Sequence, residues 1–228
     1  MGRTFACSDL HGNYALWEAI KEFLQPDDVL YYLGDATDRG AEGWSILKEM
    51  LIDERIHYIV GNHDIMLANR IKYPNSHYHA SIHNSNGGYD TWVDAKADSE
   101  ALDIAIKIFE LPLYAVYENA SGFKIFMSHS GCTEIEDKHG LVWDREEFFS
   151  REKPRPYDYV VHGHTTIPHL IDDLNMYTAP TDEDEDDVWE GGAYWYTEYR
   201  CDIDCLTVAT GMTVLLDLDT FEEEIFVI

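Results

Sequence analysis

Cationic residues are scarce in this chain: 16 Lys and Arg stand against 44 Asp and Glu over 228 residues, a formal net charge of −28. Such a field repels a polyphosphate backbone at long range, which argues against nucleic acid as the main partner. Bound divalent cations would offset part of it. Cysteine is scarce too, since Cys7, Cys132, Cys201 and Cys205 are too few for a disulfide framework at this length. Cys201 and Cys205 have no second Cys or His pair nearby, so free structural thiols are expected rather than half a zinc site. No apolar run approaches the ~20 residues a membrane span needs. No signal-peptide pattern precedes the first apolar run, and Ala6 stands where a myristoylation pattern needs Ser or Thr. The expectation is a soluble, cytoplasmic protein in a reducing compartment, with no membrane partner.

What is present suits a globular domain. A hydrophobic fraction of 45% is enough for one sizeable core, and the length fits one large α/β domain over residues 1–228. Arg3 to Ser8 reads as a strand, and Tyr14 to Phe23 as a helix with Leu16, Ile20, Phe23 and Leu24 at helical spacing. Val29 to Leu33 is a second strand, Gly43 to Leu51 a second helix and Ile56 to Val60 a third strand. This order implies a parallel sheet with right-handed crossovers, whose chemistry gathers beyond the carboxyl ends of its strands.

Further on, Pro74 to Ser99 is polar and irregular and reads as an inserted loop at about 73–99, with His77, His79 and His83 exposed in it. Ala101 to Leu111 reads as a helix with Leu102, Ala105, Ile106 and Phe109 on one stripe. Phe123 to Met127, Tyr159 to Val161, Leu206 to Ala209, Thr213 to Leu218 and Ile225 to Ile228 are short β-rich runs, with a hairpin turn at Gly211-Met212. They predict a second, more antiparallel sheet packed on the first. Another inserted loop is expected at about 172–200, holding the acidic run Asp182 to Asp187. That run reads as a solvated loop, the functional alternative being a gate that favours basic substrates.

Polar clusters follow the strands: Ser8-Asp9-Leu10-His11-Gly12, then Gly34-Asp35-Ala36-Thr37-Asp38-Arg39-Gly40, then Gly61-Asn62-His63-Asp64. Two later strand-like runs end in Ser128-His129 and His162-Gly163-His164. Asp9, His11, Asp35, Asn62, His129 and His164 therefore converge. Carboxylates, an amide oxygen and imidazoles together suit a pair of borderline divalent metals. As structural groups alone, Asp9 and Asn62 would cap the helices that follow them. Six such residues at five strand ends are harder to explain, because unpaired buried charge costs several kcal/mol by rough estimate.

These clusters, in this order, resemble the five motifs of calcineurin-like metallophosphoesterases. The second motif with its Arg39, and Trp143-Asp144-Arg145-Glu146, more specifically resemble the phosphoprotein phosphatases, above all small bacterial and phage members. The resemblance implies a four-layer α/β fold, two mixed sheets packed as a sandwich flanked by helices. It implies two divalent metals, manganese first and iron or zinc as alternatives: one held by Asp9, His11 and Asp35, the other by Asp35, Asn62, His129 and His164. Arg39 and Arg145 would clamp phosphoryl oxygens, and His63, oriented by Asp38, would protonate the leaving oxygen. A hydroxide shared by the metals would attack in line.

Thr166 stands where the wider superfamily often places another His ligand, a departure expected of the phosphoprotein phosphatase branch. Ser8 replaces a more usual Gly, and Asp64 a Glu common in eukaryotic members. The expected substrate is phosphoserine or phosphothreonine on protein. The alternatives are a small-molecule phosphoesterase, such as a diadenosine polyphosphate hydrolase or a nucleotide phosphodiesterase, and a metal-containing binding protein without turnover. Of the other candidates, His162 is expected to pack and His139 and His169 to lie at the surface. Trp92, Trp143, Trp189, Tyr194, Trp195 and Tyr196 are expected to pack more often than to line a groove.

Overall fold

In a computed structural model, the structure describes residues 2–145, 150, 152–177 and 189–228. The acidic run 182–187, much of the expected insertion at 172–200 and Glu146 lie outside them. Among the described residues, ten strands form two mixed five-stranded sheets.

The first sheet takes β1 (Thr4–Cys7), β2 (Val29–Tyr32) and β3 (Ile56–Tyr58), parallel as the alternating order requires, and extends antiparallel through β9 (Met212–Asp217) and β10 (Glu223–Val227). The second runs β4 (Tyr114–Glu118), β5 (Lys124–Ser128), β6 (Tyr159–His162), β8 (Arg200–Asp202) and β7 (Tyr194–Thr197). Its central pairs are parallel and its outer pairs antiparallel.

Alternation along each strand builds the layers. Phe5, Cys7, Leu30, Tyr32 and Leu215 face a core shared with α1 (Tyr14–Phe23), α2 (Gly43–Met50) and α3 (Asn62–Lys72). Their neighbours Ala6, Leu33, Val214 and Leu216 face Ile125, Met127, Val161 and Cys201 of the other sheet. Phe126 and Val160 point the opposite way, onto Leu141 of α7 (Gly140–Trp143), while Leu170 of α8 (Ile167–Tyr177) packs on Tyr196. The order is helix, sheet, sheet, helix. All four cysteines are buried.

Three local expectations are corrected. The segment read as a loop at 73–99 forms α4 (His77–Ser85) and α5 (Tyr89–Ala97), and His83 in α4 is fully buried. In α6 (Ala101–Glu110) the inward face is Ala101, Ala105 and Ile108, while Leu102, Ile106 and Phe109 are about half exposed. Asp103, Lys107 and Glu110 mark the outer face of this helix, and the inner face lies opposite them, one step round from the stripe expected. The run expected as a strand at 206–209 is instead the short α9 (Thr207–Thr210), framed by left-handed backbone at Leu206 and Gly211. The hairpin turn lies further on, where Asp217 N–H donates to Glu222 O at 2.9 Å.

Candidate active site

The carboxyl ends of β1, β2, β5 and β6 and the start of α3 meet at one rim, and the backbone there is unusual. Asp9, His11, Asp35, Asp38, Arg39 and His164 all adopt positive φ, between 45° and 70°. Left-handed backbone costs a non-glycine residue on the order of 1 kcal/mol or more and persists only where the surroundings enforce it. The enforcement is visible as hydrogen bonds between adjacent loops. Asp9 N–H donates to Gly34 O at 3.1 Å, His11 N–H to Asp35 O at 3.1 Å and Gly12 N–H to Ala36 O at 2.9 Å. The sharp turns aim each side chain at one point rather than along its strand.

Asp35 is the centre of that point. Its Oδ2 lies 3.3 Å from Nε2 of His129 and 4.0 Å from Nε2 of both His11 and His63, and its Oδ1 accepts from His63 N–H at 2.9 Å. Asp9 Oδ1 stands 3.6 Å from His11 Nε2. The other Asp9 oxygen is held by the Ser8 hydroxyl and by His164 N–H at 3.1 Å. The Asn62 amide oxygen lies 2.9 Å from His129 Nε2. The alternative of simple helix caps is not what is seen: Asn13, not Asp9, accepts from Leu16 N–H to cap α1, and Gly61 precedes α3.

The imidazoles are set up as ligands. His11 turns Nδ1 to Thr37 O at 2.9 Å, and His129 turns Nδ1 to Leu33 O at 2.7 Å. A carbonyl can only accept, so Nδ1 carries the proton and Nε2 faces the cluster, the usual device for orienting a metal-binding histidine. Nε2 of His11 and of His164 are buried without a hydrogen-bond partner. Such atoms are costly unless something else fills the role. His11, Asp35 and His63, and again Asp35, His129 and His164, bring one potential donor atom each within 4.8 Å of one another. The donor set thus fits two divalent ions sharing Asp35, with Asp9 and Asn62 at the edges.

Charge follows the same logic. Burial would raise the Asp35 carboxyl, but the cationic His129 beside it holds it well below its usual range. Burial lowers His11 to about 3, keeping it neutral, and drives His164 down as well, aided by His129 and Arg145.

His63 and Asp38 lie in contact. His63 Nδ1 lies 2.8 Å from Asp38 Oδ2, and its Nε2 lies 3.1 Å from an Arg39 guanidinium nitrogen. Arg145 reaches Thr165 Oγ1 at 3.0 Å, beside His164. Trp143 sets its ring edge-on to His164, with centroids 6.4 Å apart, and shares a groove with Met66, Tyr78, His79 and Ile82. His162 is a packing residue with Nε2 2.9 Å from Tyr196 OH, while His139 and His169 are exposed. Tyr194 and Trp195 pack in the second sheet.

Two contributors escaped the sequence reading. His83 places Nε2 2.9 Å from the other oxygen of Asp38. Asp64 accepts from Asp35 N–H at 3.0 Å, Gly61 N–H at 3.1 Å and Tyr58 OH at 2.9 Å, so it ties the ends of β2 and β3 to α3. A carboxylate at the third position of a helix is an N-terminal signal, and that was the available clue for Asp64.

The sequence matches the model of one family, calcineurin-like phosphoesterase, over residues 2–168. A comparison with curated protein sequences finds no match. Among solved structures, the fold is similar to a protein provisionally assigned as a diadenosine tetraphosphatase, at 15% identity and TM-score 0.57 over 99% of this chain and 93% of that one. It is similar to a metallophosphoesterase from Sphaerobacter thermophilus, at 14% identity and TM-score 0.56 over 98% and 86%. A protein serine/threonine phosphatase from Saccharomyces cerevisiae is similar at 14% identity and TM-score 0.51 over 100% and 80%.

Proposed function

Because the chain belongs to the calcineurin-like phosphoesterase family, a family of metal-dependent phosphoester hydrolases, we propose that it hydrolyses phosphomonoesters, with phosphoserine and phosphothreonine in proteins as its substrates. The observation that carries this reading is the His63–Asp38 pair, 2.8 Å apart, set against the Asp35 cluster with Arg39 on its free nitrogen. A metal-storing or purely structural site would need no acid and no guanidinium there.

Asp9, His11 and Asp35 would hold one divalent ion, and Asp35, Asn62, His129 and His164 the other. When bound, the ions make water more acidic and draw charge from phosphoryl oxygens. The chain's own residues do the rest. Arg39, whose guanidinium fork matches phosphate geometry and stays charged, moves from His63 Nε2 onto the phosphoryl oxygens, and Arg145 approaches them from the Thr165 side. Once Arg39 has left it, His63 Nε2 takes up a proton from solvent and gives it to the leaving oxygen, while Asp38 accepts from Nδ1 and holds the ring's orientation.

The preference for phosphoprotein is supported by Thr166, at the position where the wider superfamily often carries a further His ligand. Its hydroxyl bonds to His169 instead. The groove lined by Trp143, Tyr78 and Ile82 offers room for side chains flanking a phosphorylated residue. The net charge of −28 disfavours a free polyphosphate. Manganese-loaded protein assayed side by side on phosphopeptides, diadenosine tetraphosphate, a cyclic nucleotide and a chromogenic monoester tests the proposal. Faster turnover of phosphopeptides is expected. Preference for the anhydride or the diester would sink the protein substrate, and inactivity on all four would sink the enzyme.

A further inference from the structure

Asp38 uses both of its oxygens on imidazoles. Oδ2 meets His63 Nδ1 at 2.8 Å and Oδ1 meets His83 Nε2 at 2.9 Å, and all three residues are buried. An ionised carboxylate only accepts, so each imidazole donates at that contact. For His83 this fixes the proton on Nε2 and leaves Nδ1 as an acceptor. Arg70, which can only donate, stands there at 3.2 Å, and the same guanidinium nitrogen donates to Asn84 Oδ1 at 2.5 Å. The Arg70 guanidinium also lies 4.6 Å over the Trp92 ring. The donor directions agree along the whole chain, from Arg70 to His83 to Asp38, with His63 donating from the other side.

The surrounding backbone is shaped to permit this contact. A Cβ on Gly88 would fall inside the His83 ring, so only glycine lets the α4–α5 turn pass there. The turn and the start of α5 hold the motif from outside, since Arg39 N–H donates to Gly87 O at 3.0 Å and Asp38 N–H to Thr91 Oγ1 at 3.0 Å. With one imidazole alone, a buried carboxylate could rotate its plane and carry the His63 ring with it. Two donors on opposite oxygens pin that plane.

We propose that His83 is a positioning residue for the reaction: acting through Asp38, it holds the His63 ring where its Nε2 proton meets the leaving oxygen. The assignment of His63 as the acid rests on the phosphomonoester reading above. The rival is a merely structural His83 that satisfies a buried carboxylate, and two substitutions separate them. His83→Asn keeps an acceptor for Arg70 but is too short to reach Asp38, whereas His83→Gln extends its amide N–H to about the place of Nε2.

The zinc-loaded protein is assayed on phenyl phosphate, whose leaving oxygen needs a proton, and on p-nitrophenyl phosphate, whose leaving oxygen hardly does. For His83→Asn, kcat on phenyl phosphate is expected to fall on the order of tenfold or more, against less than about threefold on the nitrophenyl ester. KM and zinc content stay unchanged, and His83→Gln recovers most of the loss. Spectra of ¹⁵N-histidine-labelled protein supply a readout that needs no turnover: the His63 Nδ1 proton should exchange slowly with water in the parent and in His83→Gln, and rapidly in His83→Asn. Equal loss on the two esters, loss that follows zinc content, or an unchanged His63 proton in His83→Asn overturns the proposal. If neither the zinc-loaded nor the manganese-loaded parent hydrolyses either ester, the phosphoester reading fails and the His63 proton alone decides the role of His83.

Discussion

His129 and Asp35 approach within 3.3 Å, Nε2 to Oδ2, although they come from different sheets. The contact joins the end of β5 to the end of β2, so the shared carboxylate is placed by both layers of the sandwich. One ligand between two ions cannot be removed without affecting both. Asp35→Asn is expected to lose metal and activity together, as measured by metal analysis beside a monoester assay. His63→Asn should keep the metals and slow turnover by about 10²–10⁴, the range for general acid catalysis. Equal metal loss in the two variants would contradict the roles assigned.

The same pair predicts how metal uptake depends on pH. Burial favours a neutral His129, but the Asp35 charge and hydrogen bond, with Asp9 beyond, outweigh it and raise the imidazole to about 10 in the metal-free protein. Its ring bonds agree, since Nδ1 faces a carbonyl and Nε2 faces the Asn62 and Asp35 oxygens. The folded value lies above the unfolded one of ~6.5, so the charged ring's contribution is complete below about 6.5 and disappears as pH rises through about 10. Chelator-treated protein should therefore lose stability across that window, and His129→Asn should flatten the loss. A metal ion needs the neutral ring, so binding must release this proton. Calorimetry of metal binding in buffers of different ionisation enthalpy should detect it, and release of no proton near pH 7 would contradict a charged His129.

The residues proposed here as metal ligands could be brought together from sequence because topology places them. In a β-α-β-α-β run the residues after each strand must share one rim, and Asp9, Asp35 and Asn62 follow from strand order alone. His83 could not be read that way. Its burial depends on α4 folding back on α3 beside Asp38, 45 residues earlier, and a polar, His-rich stretch with no periodic apolar face gives no sign of that packing. For α6 the sign was present: Asp103, Lys107 and Glu110 mark one polar face, and Ala101, Ile104, Ala105 and Ile108 lie opposite it, while Leu102, Ile106 and Phe109 only flank that inner face, and the helix packs on α3.

Asp64 offers a prediction about stability. Its carboxyl accepts from two backbone N–H groups and from Tyr58 OH, all buried, and burial with the nearby Asp35 charge raises it to about 7. Asp64→Ala would strand those donors where water cannot reach, at about 1–3 kcal/mol for each group left unsatisfied. A loss of at least about 3 kcal/mol in urea denaturation of the metal-free protein is expected, and a loss under about 1 kcal/mol would show that the clasp is dispensable.

Gly61 tests whether the metal site depends on close packing between motifs rather than on its ligands alone. Its φ of −99° is open to any residue, so backbone strain does not explain a glycine here. A Cβ at this position would run into Asp35 Oδ1 and come within 2.7 Å of Asp35 N. Neither can yield easily, because Asp35 Oδ1 already accepts from His63 N–H and Asp35 N–H already donates to Asp64. Gly61→Ala should therefore displace the shared carboxylate and weaken metal affinity on the order of tenfold or more, the range seen when a group that orients a metal ligand is disturbed. Circular dichroism should show the secondary structure retained. Titration with manganese measures the affinity directly, and parental affinity in Gly61→Ala would mean that Asp35 can move without cost to the site.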